Sequence, residues 1–388
     1  MSADPFMRLA VRLARRGYGA TSPNPMVGAV LVKGGKIIGQ GWHRQVGGPH
    51  AEIEALRDAQ KHGHNPRGAT LFVTLEPCCT LGRTPPCTEA IIAAGIRKVI
   101  IGATDPNPNH AGKGLKILQR AKIAVSYGML ADECARLNET FNHWIVDRTP
   151  FVTVKAAMTL DGKIATASGE SKWITGEKAR AHGMKLRQGS DAILVGVNTI
   201  LADDPSLTVR TRMEDGRWKM EKPIRRIVLD SMARTPLTAR VVSDEYAALT
   251  TIVVGKDAPE QRVAALAKRV NVLVAPAKKV GRASPQAGSS GASPHQIDLK
   301  WLLKKLGAKN VASLLVEGGG EVNASFLLGG LAQRVAYFYA PKILGGRDSR
   351  KAVAGEGAKS IAEVLQLREV EWRKLGVDLL LTARVMTR

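Results

Sequence analysis

The sequence predicts two α/β domains, residues 1–147 and 148–388, each a sheet covered by helices. Three observations carry this. Short β-rich apolar runs alternate with helix-periodic segments along almost the whole chain. The 388 residues, 44% of them hydrophobic, are enough for two cores. Arg148-Thr149-Pro150 then breaks the pattern between a helix-like segment and a new apolar run, because proline disfavours helix in the residue before it.

In the first domain, Asp4 as N-cap and Pro5 at the first helical position open a helix with Phe6, Leu9, Ala10 and Leu13 on one face, ending near Gly17. Thr21 to Pro25 holds too much proline for a regular element. Val27 to Val32, the Gly34-Gly35 turn and Lys36 to Gly41 form a hairpin. A helix carrying Ile53, Leu56 and Ala59 follows, then a buried strand from Thr70 to Leu75, and a second helix opened by Pro86-Cys87. Lys98 to Ile101 is a strand, Leu115 to Ala121 a short helix and Val125 to Tyr127 a strand. Asp132 to Trp144 reads as one closing helix, with Cys134 a core thiol.

In the second domain, a strand starts at Phe151, and further strands are Ile227 to Leu229, Thr251 to Val254 and Val270 to Val274, with a helix from Pro259 to Lys268 between the last two. Pro276 to Pro294 is rich in Gly, Ser, Ala and Pro and reads as a flexible loop. After it come a helix from Ile297 to Leu306, a strand from Val311 to Val316, a helix from about Glu321, and strands at Arg334 to Tyr339 and Val377 to Met386. Gly318-Gly319-Gly320 joins strand to helix, where glycines let a backbone approach a ligand and a helix start offers N–H groups to phosphate.

The chemistry concentrates between His50 and Cys87. His50, Cys78 and Cys87 are one imidazole and two thiolates, a three-ligand set for catalytic zinc that leaves one position for a water whose pKa the metal lowers. A Cys in the first turn of a helix is easier to ionise. Glu52 is the proton carrier beside the metal. Cys79 could replace Cys78, but Cys78 follows Pro77 as Cys87 follows Pro86, which favours Cys78. A structural zinc would want a fourth ligand, and Cys79 is the one local candidate.

The net charge of +23 suits nucleic acid or anionic small molecules drawn to a cleft. Aromatics are 4%, with no basic run interleaved with rings, so a base-stacking surface is disfavoured. No apolar run reaches the ~18 residues a membrane helix needs. The N-terminus is too charged for a signal peptide, and a cytoplasmic protein without membrane or nucleic-acid partners is expected.

The order H-x-E, then P-C and P-C separated as C-x8-C, together with Pro23-Asn24-Pro25-Met26-Val27-Gly28 and Asp105-Pro106-Asn107-Pro108, resembles the zinc deaminases, and among them the deaminase half of the bifunctional riboflavin-biosynthesis deaminase/reductases. The chain after Pro150 resembles the reductase half: FVTVKAAMTLDGKIATASGESKWITG, then Val195 to Pro205, Leu207 to Arg210, and Glu317 to Gly320. The resemblance covers nearly the entire chain. It implies a cytidine-deaminase-like three-layer α/β domain followed by a dihydrofolate-reductase-like α/β domain, with Zn2+ and NADPH as cofactors. The substrate implied is a phosphorylated diaminopyrimidine, and a homo-oligomer is expected. The resemblance carries Ala157, Trp173, Thr199, Asp203, Ser231, Gly319 and Gly320 to the NADPH side. To the substrate side it carries Asn24, Ser171, Arg187, Leu207, Arg210 and Glu317. Asn24 is either a base contact or a turn residue; Arg83 and Thr84 hold a ribose phosphate or face solvent. One of Arg187 and Arg210 binds the sugar phosphate. Lys155, inside an apolar strand, either polarises substrate or pairs with Asp161 or another acid. The rival reading is a tRNA adenosine deaminase with a basic C-terminal RNA-binding domain.

Overall fold

The computed structural model describes residues 5–80, 85–212, 218–276 and 297–386. The Asp4 cap, the loop with Arg83 and Thr84, and nearly all of the Pro276 to Pro294 loop lie outside them. The chain forms two compact units, Met1–Thr149 and Pro150–Arg388. Among the described residues, no helix is long and apolar enough to cross a membrane.

The first unit is a five-stranded sheet between helices. Its strands are β1 (Gly28–Lys33), β2 (Lys36–Trp42), β3 (Thr70–Leu75), β4 (Lys98–Ala103) and β5 (Ala124–Tyr127), in the order β2-β1-β3-β4-β5. Side chains alternate across a strand, so each apolar strand feeds two cores. Ala29, Leu31, Leu71, Val73, Val99 and Ile101 enter one core, under helices α2 (Ala51–Lys61), α3 (Cys87–Ala93) and α4 (Lys113–Arg120). Val30, Val32, Phe72 and Ile100 enter the other, with Met7, Ala10 and Val11 of α1 (Pro5–Ala14) and Cys134 of α5 (Ala131–Leu137). Cys134 is 1% exposed, and burial pushes its thiol up to about 12.

Two close approaches seat the helices. Ala51, Ala55 and Ala59, four apart on α2, are fully buried, and Gly39 and Gly41 of β2 receive them. A Cβ on Gly41 would lie 2.4 Å from the Ala51 carbonyl oxygen, so α2 can rest on β2 only where side chains are missing. The expected closing helix is two: α5, and α6 (Glu139–Asp147), broken at Asn138. The break has a physical cause. Asn138 is 3% exposed, its Oδ1 accepts Met26 N–H at 2.7 Å, and its Nδ2 donates to Met26 O at 2.8 Å. Its side chain thus pairs with the Thr21 to Met26 loop as a strand would.

The second unit is built on nine strands in the order β13-β12-β11-β8-β14-β6-β15-β18-β17. In chain order the elements that matter are β6 (Phe151–Thr159), β7 (Lys163–Ala165), α7 (Glu177–Gln188), β8 (Ala192–Gly196), α8 (Val197–Asp203), β9 (Val209–Arg212), β10 (Trp218–Lys222), β11 (Arg225–Leu229), α9 (Arg240–Ser243), β12 (Thr250–Gly255), α10 (Glu260–Ala267), β13 (Asn271–Ala275), α11 (Leu299–Ala308), β14 (Ser313–Val316), α12 (Gly320–Leu327), β15 (Arg334–Ala340), β16 (Arg350–Lys351), β17 (Leu367–Leu375) and β18 (Asp378–Val385). From β13 to β15 neighbouring strands run parallel; β18 and β17 are antiparallel additions. After β8 the chain steps outward through β11, β12 and β13, then returns to insert β14 between β8 and β6. That reversal makes a topological switch point between β8 and β14, and open α/β sheets bind ligands outside the C-terminal ends of strands at such points.

Candidate metal centre and cofactor crevice

His50 is the extended residue before α2, with φ −74° and ψ 165°, and Glu52 lies in the first turn of that helix. Cys78 follows the end of β3, and Cys87 opens α3. The seated helix and the strand end bring the three ligand types together. His50 Nδ1 is 3.3 Å from Cys87 Sγ and 3.4 Å from Cys78 Sγ, and all three atoms lie within 4.8 Å of one another. Ligand atoms on a tetrahedral zinc, with Zn–S and Zn–N bonds of ordinary length, stand about 3.5 Å apart. Spacing and donor chemistry both fit that ion.

Both cysteines are expected to bind metal as thiolates, and of the two Cys78 is the more easily ionised. The Cys78 pKa is lowered, first by its hydrogen bond with the Cys87 thiol and then by His50, while its sulfur also accepts the Cys87 backbone N–H at 3.3 Å. The helix N-terminus thus serves the neighbouring sulfur, and the Cys87 thiol is pushed up as the other half of the pair. The bond with Cys78 raises His50. Glu52 is 3% exposed, and burial, followed by the charge on Cys78, pushes its carboxyl up to about 7.

His50, Glu52 and Cys78 open onto a cavity of about 200 Å³ that also meets Asn24, His43, Glu76, Asp105, Asn107 and His110, with an apolar side of Val27, Leu75, Phe141 and Ile145; Cys87 lies buried behind them. Asn24 Nδ2 lies 3.3 Å from His43 Nε2, and His43 Nδ1 lies 3.0 Å from Pro49 O. With Nδ1–H donating to Pro49, Nε2 accepts the Asn24 amide, and burial lowers the His43 pKa in keeping with a neutral ring. Sequence reasoning missed His43, because a lone His after a strand carries no spacing signal. It also missed Glu76, whose role is visible only from its partners.

In the second unit, several of the residues expected to bind ligands lie at or just after the C-terminal ends of the strands. Thr199 and Asp203 lie on α8, Ser231 follows β11, and Glu317 to Gly320 follow β14. Ala157 is near the end of β6, and Ser171 is part-buried in the loop before α7. Trp173 is 66% exposed, with Arg180 stacked over its ring at 4.7 Å. Asp203 pairs with Lys172 at 3.2 Å. The three glycines have different causes. A Cβ on Gly318 would strike Val322 at 2.5 Å and one on Gly320 would strike Lys351 O at 2.4 Å, whereas at Gly319 it would meet nothing within 4 Å. Packing demands the outer two; the middle one faces open space.

Glu317 binds inward. Arg187 Nε and Nη2 donate to its two oxygens at 2.8 and 2.9 Å, Arg187 Nη1 donates to Thr208 O at 3.0 Å, and Lys155 Nζ is 3.5 Å away. Burial pushes the carboxyl up, but the charges of Arg187 and Lys155 outweigh it and hold Glu317 at about 2. Asp161 is not the partner of Lys155; it accepts from Thr159 and from the N–H groups of Leu344 and Gly345. Leu207 is 2% exposed in the core, so its backbone, at φ +48°, is the part left to meet a ligand. Arg210 lies on β9, where burial and then the charges of Arg187 and Arg240 lower its pKa.

Both units match known families. Residues 1–103 match the cytidine and deoxycytidylate deaminase zinc-binding region, and residues 150–381 match the RibD C-terminal domain. The chain is 42% identical over 376 residues to the riboflavin biosynthesis protein RibD of Actinobacillus pleuropneumoniae, covering 97% of this chain and 93% of that one. To the RibD of Aquifex aeolicus it is 43% identical, covering 97% and 96%. Among solved structures, RibD of Acinetobacter baumannii superposes with a TM-score of 0.81 at 34% identity, covering 98% of each chain. A diaminohydroxyphosphoribosylaminopyrimidine deaminase/5-amino-6-(5-phosphoribosylamino)uracil reductase from Thermotoga maritima gives 0.77 at 35%, again covering 98% of each. The N-terminal unit is therefore cytidine-deaminase-like and the C-terminal unit dihydrofolate-reductase-like, and the chain belongs to the bifunctional RibD family of riboflavin-biosynthesis deaminase–reductases.

Proposed function

We propose that the chain hydrolytically deaminates 2,5-diamino-6-(5-phosphoribosylamino)pyrimidin-4-one in its first unit and reduces the ribosyl group of the product to ribityl, with NADPH, in its second. The observation that carries the reading is the convergence of His50, Cys78 and Cys87, beside a cavity lined by His50, Cys78 and the buried Glu52. His50, Cys78 and Cys87 would hold a zinc ion, which would supply an activated water near neutral pH. Glu52, with a carboxyl near 7, takes a proton from the water and returns it to the departing amine, which leaves as ammonia. The Asn24 amide, oriented by the neutral ring of His43, holds the pyrimidine edge. The apolar side keeps bulk water off the ring.

NADPH supplies the hydride in the second unit. Ala157, Trp173, Thr199, Asp203, Ser231, Gly319 and Gly320 hold the cofactor around the switch point, with the backbone approach at Gly319. Ser171, the Leu207 backbone, Arg210 and the Arg187–Glu317 pair hold the sugar side. Because Arg187 is committed to Glu317, Arg210 is the phosphate holder of the two arginines. Its neighbours Arg187 and Arg240 add positive charge, which a phosphate would relieve. No protein acid is required for the hydride itself, so this unit works by positioning. The reading includes a cytoplasmic homo-oligomer: β17 ends the sheet with Val370 and Trp372 exposed, a strand edge that a second copy would cover. The tRNA-deaminase reading is disfavoured, since the basic C-terminal half is matched by the RibD C-terminal domain.

The test is incubation of the full chain with the diaminopyrimidine ribosylphosphate and NADPH, following ammonia release and NADPH oxidation together. Both signals are expected. Stripping zinc should stop ammonia release and leave reduction of the deaminated compound intact. Ammonia release without NADPH oxidation would overturn the bifunctional reading.

A further inference from the structure

Glu76 is 5% exposed and lies between the last residue of β3 and the Pro77-Cys78 pair. A carboxylate in such a place needs partners, and the hydrogen bonds it makes all go one way. Oε2 accepts the N–H of Asp105 at 3.2 Å and of Gly112 at 3.0 Å, and Oε1 accepts the N–H of Gly114 at 3.0 Å. These three donors bracket the loop between β4 and α4. That loop presents Asp105, Asn107 and His110 to the cavity.

The loop shapes itself locally: Asp105 Oδ1 accepts Asn107 N–H at 2.9 Å, and Asn107 Oδ1 accepts Asn109 N–H at 3.1 Å. Such turns fix the loop's form but not its place. Two contacts fix the place. At its far end His110 Nε2 lies 3.1 Å from Thr80 Oγ1, and its Nδ1 lies 3.6 Å from Asp105 Oδ2. At its base is the Glu76 clamp. The fit there is tight, because a Cβ on Gly114 would come within 2.5 Å of Pro77 O and 3.1 Å of Glu76 Oε1. Glu76 is therefore a rigid link between the segment that carries the metal ligand Cys78 and the wall that faces it.

We infer that Glu76 is a positioning residue for deamination: by holding the amides of Asp105, Gly112 and Gly114, it sets the substrate-facing wall of the cavity at a fixed distance from the metal ligands. This rests on the functional reading above. A wall that touches substrate equally in the ground and transition states governs KM and leaves kcat alone.

Glu76→Gln replaces one acceptor oxygen by a donor, so at least one of the three amides loses its partner. Gly114→Ala pushes on the same contact from the other side. In the full chain, both variants should keep their zinc and their reductase rate. For ammonia release, KM should rise about tenfold or more while kcat changes less than about threefold. A merely structural role would lower the melting temperature without that split. Hydrogen exchange reads the contact without turnover: amides of residues 105–114 should exchange faster in both variants. Unchanged loop exchange overturns the inference even if the wild type releases no ammonia, an outcome that would itself sink only the functional reading. Loss of zinc with unchanged KM in the metal-reloaded protein also overturns it, since Glu76 would then support Cys78 and not the wall.

Discussion

Glu52 and Glu317 are both buried acids at the working ends of their units, and their chemistry is opposite. Glu52 stands near thiol sulfur, and burial pushes its carboxyl up to about 7. Glu317 is gripped by a bidentate guanidinium and an ammonium that hold it at about 2. Burial is common to both; partners decide the outcome. An acid poised near neutrality can give and take protons in each turnover, whereas an acid pinned as an anion orients cations and stays charged. On the function proposed above, the first reacts; the second holds Arg187 and Lys155 in place.

The sharpest way to break this contrast is to remove each charge. Glu52→Gln should lower the rate of ammonia release about a thousandfold, with zinc content and NADPH-dependent reduction unchanged. Wild-type ammonia release in that variant would show that Glu52 carries no proton. Glu317→Gln should act on stability, because it leaves a guanidinium and an ammonium buried without a counter-charge. A loss of about 3 kcal/mol is expected in urea unfolding, along with lower reductase activity and unchanged deamination. A variant as stable as wild type would mean that solvent already screens the pair. The smallest effect is in the pH dependence. The Glu317 carboxyl is depressed from 4.5 to about 2, so the stability it contributes is fully present above pH 4.5 and is lost as pH falls toward 2. Protection of the β14 amides against exchange should decline over that window in the wild type and decline less in Glu317→Gln.

Legibility in the sequence followed the same division between chemistry and partnership. His50, Glu52, Cys78 and Cys87 were readable because zinc restricts ligand types, and proline and helix starts mark their spacing. Most strands of both sheets were readable because each is a short apolar run feeding a core on one or both sides; β8 and β17 were not predicted, and β17 is largely exposed and rich in charge, so it produces no apolar signal. Helix α7 was not predicted: its buried residues are Ala179 and Gly183, which produce no apolar period. The break at Asn138 was hidden because an Asn inside a helical pattern gives no sign that it will bond the backbone of a loop 112 residues away. His43 and Glu76 were missed for a related reason. Their significance lies in which atoms they meet, and those atoms come from distant segments.

The glycine triplet after β14 bears on any attempt to retune the reductase. Its members look interchangeable in the sequence, yet a methyl group at the first or third would collide with the protein, whereas at the second it would meet open space. An engineer thus has one position to work with there, Gly319, where the effect of added bulk on NADPH affinity would report on the cofactor site proposed above and not on the fold.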